Sequence, residues 1–474
     1  HSGLPIVMTA LTTMGGMASF ATASLQPLAM LGYLVPAGVV LAVIFSLALL
    51  PGLVMVIPLR PAAVDRSETG DTRIDRLLLA CGRISLRHRI PLIAGTLLAS
   101  ALSIWVATGL RFSHDPIQWL PAGDPLRLAT DRVNDALGAT TTMDVLVNTG
   151  HENGLYDPAV LDGIERLRAF AEGYQDPLVS VRRVTSLTDV VKEIHQALHE
   201  NRVEFYAIPR ERSLVAQELL LFENTGADDV ARITDPAFST ARVTLHMPWG
   251  DAHRFAGLVD EIDHRLPELL GNGSSGTITG LVGMMSRTLR AVTVSMAWSY
   301  ISSLVVVTGL MILLIGNLRG GLVSMLPNLA PILFMHALMA ALDVPLDMFT
   351  LMAGSTALGL AVDDTIHFIH VYRREVEHCG DPAEAVRRTL TTTGRANLIA
   401  CIALTTGFFI FVASSMQNLA SFGLLIGFAF LAALICELLV TPALLVTAEV
   451  GGKRPPVARS EPKASEDHQV GVAP

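Results

Sequence analysis

Two adjacent carboxyl groups and two imidazoles lie in the middle of a long apolar segment. Asp363 and Asp364 are followed by His367 and His370, and most of the residues around them are hydrophobic. A charged side chain in hydrocarbon costs about 2.5–3.5 kcal/mol on insertion scales, so such groups rarely persist there without a use. A row of titratable groups on one face of a membrane helix therefore predicts proton translocation. On a helix, that face carries Thr356, Gly359, Asp363, His367 and His370.

The spacing of these groups suits a proton relay. Asp363 and His367 are four residues apart, and Asp364 and His367 are three apart, so either carboxyl group can contact the imidazole on a helix. Two carboxyl groups this close also titrate as a coupled pair. We therefore predict that Asp363, Asp364 and His367 form a proton relay. The alternative is a hydrogen-bonded cluster that only fixes helix packing.

Three further polar residues in apolar segments are candidates for the same relay. Glu437 lies in the last apolar segment of the chain, where a carboxyl group is costly unless it has a partner. Thr405 and Thr406 lie in the preceding segment and can bond to the aspartates across helices. The alternatives are a glutamate bonded to a neighbouring Ser or Thr near the membrane rim, and threonines that serve packing or capping.

Two glycines and one histidine are interpreted as structural. Gly354 and Gly359 lie on the predicted helix that carries the aspartates. Glycines in membrane helices let neighbouring backbones approach closely, so we predict a helix-packing role for both. His336 is alone in its apolar segment, which favours a core histidine with satisfied hydrogen bonds over a ligand.

The sequence does not favour catalytic or cofactor chemistry. It contains no Walker lysine motif, no Gly-x-Ser-x-Gly elbow and no Cys-x-x-Cys pair. His367 and His370 beside two aspartates suggest a metal, but one helix offers too few convergent ligands. We therefore expect no enzyme activity, no cofactor, no metal and no nucleic-acid partner.

These groups need a bundle of membrane helices to hold them. Hydrophobic residues make up 51% of the 474-residue chain and charged residues only 16%, a composition typical of a polytopic membrane protein. A span needs an apolar stretch of about 20 residues. Eight stretches qualify and none contains Lys or Arg: 6–26, 29–57, 90–110, 293–316, 321–342, 348–371, 397–415 and 418–447.

The distribution of arginine orients the bundle. The 58–89 linker and the 372–396 loop are rich in arginine, whereas the alternate turns carry no basic residue. Because arginine-rich loops stay in the cytoplasm, we predict that these loops and the 448–474 tail lie inside and that residues 111–290 lie outside. The tail has few large apolar residues and is expected to be disordered.

Part of the linker has the pattern of an amphipathic helix. We predict that residues 72–89 lie on the anionic inner leaflet, with one apolar face in the lipid. A plain solvated linker is the alternative. The apolar residues of that face are Ile74, Leu77, Leu78 and Ile84.

Residues 111–290 are polar and acidic and are predicted to form a separate domain. Two β-α-β units in one compact domain predict a ferredoxin-like α/β sandwich. All four cysteines lie outside this domain, so we expect no disulfides. The expected strands are 143–148, 179–184, 241–247 and 277–281, and the expected helices are about 157–172, 186–223 and 251–270.

Part of the sequence is repeated near the two ends of the chain. Because both copies begin on the cytoplasmic side, the repeat is parallel, about an axis along the membrane normal. Residues 1–57 match only the last two spans of the six-span unit at 90–447, so we expect a first half that is truncated before His1. The matching pairs are Ala10–Thr13 with Ala403–Thr406, Gln26–Gly32 with Gln417–Gly423, and Leu50-Pro51 with Thr441-Pro442.

The expected organisation is a polytopic α-helical membrane protein with an inserted extracytoplasmic domain. Its parts are 1–57, the last two spans of the first half; 58–89, a cytoplasmic linker; 90–110, the first span of the second half; 111–290, the α/β porter-like domain; 291–447, a five-span membrane domain; and 448–474, the tail.

Together these segments resemble the resistance-nodulation-division (RND) superfamily, in its MmpL-like exporter branch. The most specific piece is Gly359–His370 followed by Tyr372–Glu375. The resemblance implies two six-span halves, each with a large external domain, and a relay role for Asp363 and Asp364. The other matching pieces are Phe112–Pro116 with Trp119–Pro121, Val344–Thr350, Ala385–Arg388 and the Ala403–Gly423 copy.

The resemblance also implies a function. Members export lipidic or hydrophobic molecules, driven by the proton gradient and often as trimers. We therefore expect a proton-driven exporter of lipid-like substrates in the cell inner membrane, with a periplasmic domain and a homotrimeric assembly. Two alternatives remain open: a sterol-sensing or Patched-like lipid sensor or scaffold without transport, and a chain that is inactive without its missing first half.

Overall fold

The fold is described from a computed structural model, which describes residues 3–23, 26–56, 73–174, 176, 179–225, 227–271 and 273–448. The predicted disordered tail beyond Ala448 and the first part of the 58–89 linker lie outside these residues. The helices that precede the first strand are α1 (Gly3–Ala18), α2 (Gln26–Ile44), α3 (Leu50–Val56), α4 (Arg73–Arg87), α5 (Arg89–Ala107) and α6 (Pro125–Leu137).

The remaining helices divide into those of the external region and those of the membrane region. Between the strands lie α7 (Pro158–Glu172), α8 (Leu187–Leu198), α9 (Arg212–Thr225), α10 (Ala227–Ile233) and α11 (Phe255–Leu270). After the last strand follow α12 (Gly280–Ile315), α13 (Leu318–Val323), α14 (Leu326–Ala341), α15 (Met348–Cys379), α16 (Pro382–Thr389), α17 (Arg395–Phe409), α18 (Gln417–Ile435) and α19 (Thr441–Thr447).

Six helical stretches of the described chain are long and apolar enough to cross a membrane. Ile6–Thr22 is a further, shorter apolar helix. The α15 helix has 32 residues but is not among the six, because it carries the charged groups of the predicted relay. The count of eight spans therefore stays a prediction. The six stretches are Ala29–Leu53, Arg89–Ala107, Gly280–Ile315, Leu318–Ala341, Pro382–Ala413 and Gln417–Thr447.

The α15 helix is central to the bundle and has well-defined ends. Asp347 and Thr350 form a capping box at its start, in which each side chain accepts a hydrogen bond from the other residue's backbone N–H. Gly380 ends the helix with a φ of 69°, which an L side chain rarely adopts. Between these ends α15 packs against α1, α12, α14 and α18. Its polar residues therefore face protein on several sides.

A four-stranded antiparallel sheet forms the centre of the external region. Its strands are β1 (Thr141–Asn148), β2 (Arg183–Thr185), β3 (Thr240–Met247) and β4 (Ser275–Thr279), in the spatial order β2-β3-β1-β4. Every hydrogen-bonded pair of neighbours is antiparallel. Residues of β1 are alternately buried, and Met143, Val145 and Val147 enter a hydrophobic core shared with α7 and α11.

Two predictions for this region need correction. The strand expected at 179–184 is shorter and later, at Arg183–Thr185. The single helix expected at 186–223 is two helices, α8 and α9. The chain leaves the helical conformation at Glu200 and Asn201, whose φ angles are 62° and 57°. Pro209 follows before α9 begins and lacks the backbone N–H that a continuous helix needs.

The segment after α5 joins the membrane helices to the external sheet. Trp249 Nε1 donates to Asp115 Oδ1 at 3.0 Å, and the backbone N–H of His114 donates to Asp251 Oδ1 at 3.0 Å. Burial lowers the pKa of the His114 imidazole, while the nearby carboxylates of Asp347 and Asp251 oppose that shift. These contacts fit a structural junction rather than a reactive pair.

The amphipathic α4 helix packs against protein along one face, which corrects the predicted lipid contact. Leu78 is fully buried among the membrane helices, and Ile74 packs against the same cluster. Leu77 and Ile84 are about half exposed, as the prediction required. Ile74 and Leu78 are one turn apart and lie on one side of the helix, and Leu77 and Ile84 are two turns apart and lie on another, because adjacent positions such as 77 and 78 point about 100° apart. Ser85 continues the buried face and donates to Leu439 O at 2.8 Å.

The two glycines predicted to pack helices have different surroundings. A Cβ added at Gly354 would lie 1.7 Å from Tyr300 Oη, and that hydroxyl donates to Leu351 O at 2.7 Å. A Cβ added at Gly359 would meet no atom within 4 Å. The close helix contact predicted at Gly359 is therefore absent from the part of the chain that the structure describes.

We predict that Gly354→Ala destabilises the protein, while Gly359→Ala does not. The alanine methyl at 354 displaces Tyr300 and breaks its bond to Leu351 O, and overpacking of this kind costs about 1–3 kcal/mol. At 359 the methyl enters open space and a gain of up to about 1 kcal/mol in helix propensity is expected. Thermal unfolding of the two variants in detergent measures the difference. Equal midpoints would contradict the close contact at Gly354.

Candidate functional site

The carboxyl group of Asp363 lies near the middle of α15 and faces α1. Thr13 Oγ1 is 3.1 Å from Asp363 Oδ1 and 3.0 Å from Asp363 Oδ2. Thr12 Oγ1 is 3.3 Å from Asp363 Oδ1. A polar group that leaves water needs such partners, because an unpaired buried carboxylate is very costly. The described partners of Asp363 are thus the hydroxyl groups of a helix far away in the sequence.

Close packing of α1 brings the two threonines to this position. A Cβ at Gly15 would lie 2.7 Å from Val306 Cγ1, and one at Gly16 would lie 3.2 Å from Ser303 Oγ. The absence of side chains at these glycines lets α1 lie against α12 while it also packs along α15. The position of Thr12 and Thr13 therefore depends on two helix contacts at once.

Both threonine hydroxyls have a second acceptor within reach. Thr9 O is 2.8 Å from Thr12 Oγ1 and 2.9 Å from Thr13 Oγ1. A hydroxyl has one proton to donate and two lone pairs that accept. The threonines can therefore donate to an ionised Asp363, or turn to Thr9 O and accept from a protonated Asp363. The carboxyl group can exchange a proton without leaving a buried polar atom unpaired.

Asp364 points in another direction, because adjacent residues on a helix lie about 100° apart. Its carboxylate acts electrostatically on Glu437 and on the thiol of Cys401. Cys401 belongs to α17, and Glu437 follows α18. The two adjacent aspartates therefore serve different interfaces of α15.

Glu437 lies in a π-helical turn, Cys436–Val440, between α18 and α19. The residue is only 3% exposed. Its Oε2 accepts from Thr441 Oγ1 at 3.1 Å and lies 2.9 Å from Thr365 Oγ1 on α15. Its Oε1 has no hydrogen-bond partner among the described residues. Turns of this kind are rare and occur often at functional sites.

Hydroxyl groups, and not basic side chains, surround these carboxyl groups. The charge that acts on Asp363 and on Glu437 within the described chain is that of Asp364, another carboxyl group. The next arginine on α15 is Arg373, about 15 Å along the helix axis from Asp363. It donates to Leu314 O at 2.9 Å instead. The described residues contain no group of three or more His, Cys, Asp or Glu side chains that could hold a metal ion.

The contact between His367 and the aspartates that the helical spacing allows is not formed in this conformation. Among the described residues no hydrogen bond or ion pair joins them, and the titratable group that acts on His367 is His370. Thr12 and Thr13 hold the Asp363 carboxyl group toward α1, away from the next turn of its own helix. A relay role for His367 stays a prediction that these contacts do not support.

The bonds that Thr405 and Thr406 could form to the aspartates are likewise not formed within the described structure. Thr405 is buried, with Oγ1 3.7 Å from Cys401 Sγ, and Thr406 is exposed. The reason is the arrangement of the repeat. The second copy lies on α17, which packs against α18, whereas the first copy lies on α1 beside α15. The first copy therefore provides the threonines that bond to Asp363.

Two buried polar residues beside Glu437 were not among the predicted site residues. Thr365 and Asn328 are each only 1% exposed. Both interrupt apolar segments, and a polar group there is costly unless it has a hydrogen-bond partner. That cost is the signal by which the sequence could have indicated them. His336, by contrast, has its Nδ1 2.7 Å from Ile332 O, as expected for a core histidine.

Comparison with known families and sequences gives consistent results. The model of the MMPL family matches residues 159–468. The chain is also 24% identical over 354 residues to a protein from Methanocaldococcus jannaschii whose name describes it as a membrane protein. That match covers 72% of this chain and 86% of the relative.

Solved structures share the fold at low sequence identity. The hedgehog release protein Disp from the water bear Hypsibius dujardini superimposes with a TM-score of 0.65 at 14% identity. SecDF from Thermus thermophilus, a translocon-associated membrane protein, gives a TM-score of 0.50 at 16% identity. Each match covers 95% of this chain, which spans 59% of the length of Disp and 49% of that of SecDF.

We predict that removing the hydroxyls of Thr12 and Thr13 changes the environment of Asp363, whereas removing those of Thr405 and Thr406 does not. The change is Thr12→Val with Thr13→Val, and the matched control is Thr405→Val with Thr406→Val. Infrared difference spectra identify the carboxyl band of Asp363 as the band that Asp363→Asn removes. We expect that band to shift only in the first pair, because only those hydroxyls contact the carboxyl group. A shift in the control pair alone would reverse the assignment.

Proposed function

The chain belongs to the MMPL family, and from that premise we propose that it is a membrane transporter that uses proton movement to export lipid-like substrates. The observation that carries the proposal is the pair of carboxyl groups at the middle of α15: Asp363 is hydrogen-bonded to the hydroxyls of Thr12 and Thr13, and neither aspartate forms an ion pair with a basic residue of the described chain. An ionised carboxyl group in an apolar bundle can lower the free-energy cost of its burial by binding a proton. Each proton that moves down a potential of 100 mV supplies about 2.3 kcal/mol.

Proton binding at Asp363 changes the contact between α1 and α15. An ionised carboxylate accepts from the hydroxyls of Thr12 and Thr13, whereas a protonated one donates and frees those hydroxyls for Thr9 O. The strength of the hydrogen bonds differs, because bonds to a charged acceptor are about twice as strong as neutral ones. Protonation therefore alters how firmly α1 is held against α15.

One continuous helix connects this contact to the external region. The α12 helix begins directly after β4, packs along α1, and at 36 residues is about 54 Å long. It is therefore longer than the roughly 30 Å of hydrocarbon and extends beyond it. A shift at Asp363 is passed along α12 to the sheet.

The external region at 111–290 is proposed to be the porter-like domain. The order of its antiparallel strands supports a ferredoxin-like sandwich, with β1 between β3 and β4. The proposed location is the inner membrane, with this domain on the periplasmic side and the 58–89 and 372–396 segments in the cytoplasm. The 291–447 segment is the proposed membrane domain, and a homotrimer is the expected assembly from the family resemblance.

A cleft beside α12 supports an amphiphilic substrate. It has a volume of about 580 Å³ and lies between Thr22 and the first membrane turns of α12. Arg287 and Arg290 line its polar part, and Val294 and Trp298 line its apolar part. The arginines pair with Asp263 and Asp260 yet remain 48% and 66% exposed, so an anionic headgroup can bind their free edges.

We predict that replacing Asp363 and Asp364 together by Asn abolishes proton-coupled transport. Asn keeps the shape of the side chain but cannot bind or release a proton, so the fold is preserved while the coupling is lost. The measurement is pH-gradient-driven proton uptake into liposomes that contain the purified chain, with thermal unfolding as the test of the fold. Asp131→Asn, an exposed carboxyl group on α6, is the matched control.

Two outcomes would contradict the proposal. A double variant that takes up protons as fast as the unmodified chain would rule out the relay. A chain that binds lipid but shows no proton flux in any form would favour the sensor alternative instead.

We predict that the cleft selects anionic lipids through its two arginines. A photoactivatable anionic phospholipid should label cleft residues such as Trp298 several-fold more than a zwitterionic one of equal chain length. Arg287→Gln with Arg290→Gln should remove that difference, and Arg265→Gln, an exposed ion-paired arginine outside the cleft, should keep it. Labelling at Trp105 on α5 provides the background for exposed membrane tryptophans. Equal labelling by both lipids in the unmodified chain would contradict the headgroup site.

A further inference from the structure

A buried hydrogen-bond chain links Glu437 to α14 through Thr365. Thr365 Oγ1 is 2.9 Å from Glu437 Oε2 and 2.7 Å from Asn328 Oδ1. Asn328 Nδ2 in turn donates to Ser324 O at 3.1 Å, in the turn between α13 and α14. All three linked side chains are at most 3% exposed. This series of hydrogen bonds therefore runs from the turn after α18, through α15, to α14 without contact with solvent.

The proton in each of these hydrogen bonds can be assigned to its donor. The bond from Asn328 Nδ2 to Ser324 O fixes the orientation of the amide, so the oxygen that faces Thr365 can only accept. Thr365 has a single hydroxyl proton, and Asn328 Oδ1 has no other donor among the described residues, whereas Glu437 Oε2 also accepts from Thr441, so the proton is assigned to the bond with Asn328. Thr365 Oγ1 can then only accept from Glu437 Oε2. The second contact is a hydrogen bond only if the carboxyl group of Glu437 carries a proton.

The surrounding groups agree with a neutral Glu437. Asp364 on α15 is the charged group that acts on it, and two ionised carboxylates repel one another. Its own turn contributes the thiol of Cys436, and α4 contributes the Ser85 hydroxyl, which bonds to Leu439 O. The α4 helix also carries the buried Asp75 and four arginines that are all exposed: Arg73, Arg76, Arg83 and Arg87. The α18 and α19 helices contain no ionisable residue.

The two remaining helices against this turn add no close basic partner. On α14 the ionisable residue is His336, about two turns from Asn328 and bonded to Ile332 O. The α5 helix has Arg89 at its first position. Glu437 Oε1 therefore has no basic residue or donor against it among the described residues.

We propose that Thr365 and Asn328 are positioning residues that report the protonation state of Glu437 to α14. With the proton on Glu437, the hydroxyl of Thr365 donates to Asn328 and ties α15 to α14. When Glu437 loses that proton, the Thr365 hydroxyl rotates to donate to the carboxylate, which is the stronger acceptor. Asn328 Oδ1 then loses its donor, and a buried acceptor without one costs about 1–3 kcal/mol.

The consequence is a second route from the membrane core toward the external region. The α14 helix packs along α5, which leads into the His114–Asp115 junction. Loss of the Asn328 contact loosens α14 from α15 but leaves the contact between α1 and α15 intact. The inference rests on the proposed function only for its use in transport, because the protonation of Glu437 is a property of the resting protein.

The first test measures the proton itself in the full chain in lipid. Infrared spectra at neutral pH should contain a protonated-carboxyl band that Glu437→Gln removes. Thr365→Val, which has no hydroxyl, should shift that band, and Thr365→Ser should restore its position. Thr389→Val is the matched control, since Thr389 is fully buried and bonds only to Ala385 O. Absence of the band in the unmodified chain, or a band that Thr365→Val leaves unchanged, would overturn the proposal.

The second test measures coupling by proton uptake into liposomes. Thr365→Val and Asn328→Leu should each lower the uptake rate by about tenfold, which corresponds to one lost hydrogen bond. Thr365→Ser and Thr389→Val should keep the rate. Full uptake in Thr365→Val with a shifted band would overturn the reporting role of Thr365. A Glu437 band present in a chain that moves no protons would instead contradict the proposed function and leave the assignment of the proton in place.

Discussion

The arrangement around α15 depends on the cost of placing a carboxyl group inside an apolar bundle without a basic partner. Asp363 meets that cost with the hydroxyls of Thr12 and Thr13, which come from a helix at the other end of the chain. Hydroxyls suit a group that changes its charge, because they donate to the ionised form and accept from the neutral one. A lysine or arginine in their place would favour the ionised form. The α1 helix packs against both α12 and α15, and this packing brings the two hydroxyls within hydrogen-bond distance of Asp363.

The adjacent acidic residues do not act at one place. Asp363 faces α1, Asp364 acts on Glu437 and Cys401, and Thr365 contacts Glu437 and Asn328. Three consecutive residues of a helix cover about 200° of its circumference, so α15 presents polar groups to three interfaces within one turn. A change of charge on one carboxyl group therefore reaches several neighbouring helices. The Asp347–Thr350 capping box and Gly380 define where this helix begins and ends.

Movement in the membrane core has two direct connections to the external sheet. The α12 helix continues from β4 without an intervening loop. The α5 helix is followed by the short non-helical segment 108–115, which Trp249 and Asp251 hold through Asp115 and His114. Rigid elements of this kind transmit a displacement because packed interfaces do not deform continuously. The amphipathic α4 helix adds a third contact, since Ser85 bonds to the backbone of the turn that holds Glu437.

The sequence by itself determined the membrane class, the family resemblance, the central helix with its two aspartates, and the alternation of helices and strands in the external region. These features depend on local composition and period, which are visible in one segment at a time. Only the tertiary structure decided which copy of the repeated Thr-Thr pair bonds to Asp363, and that His367 does not. It also decided that Leu78 is buried, and that Asn328 and Thr365 complete the surroundings of Glu437. Each of these depends on which helices are neighbours, because identical residue pairs on α1 and α17 have the same local pattern and differ only in what lies opposite.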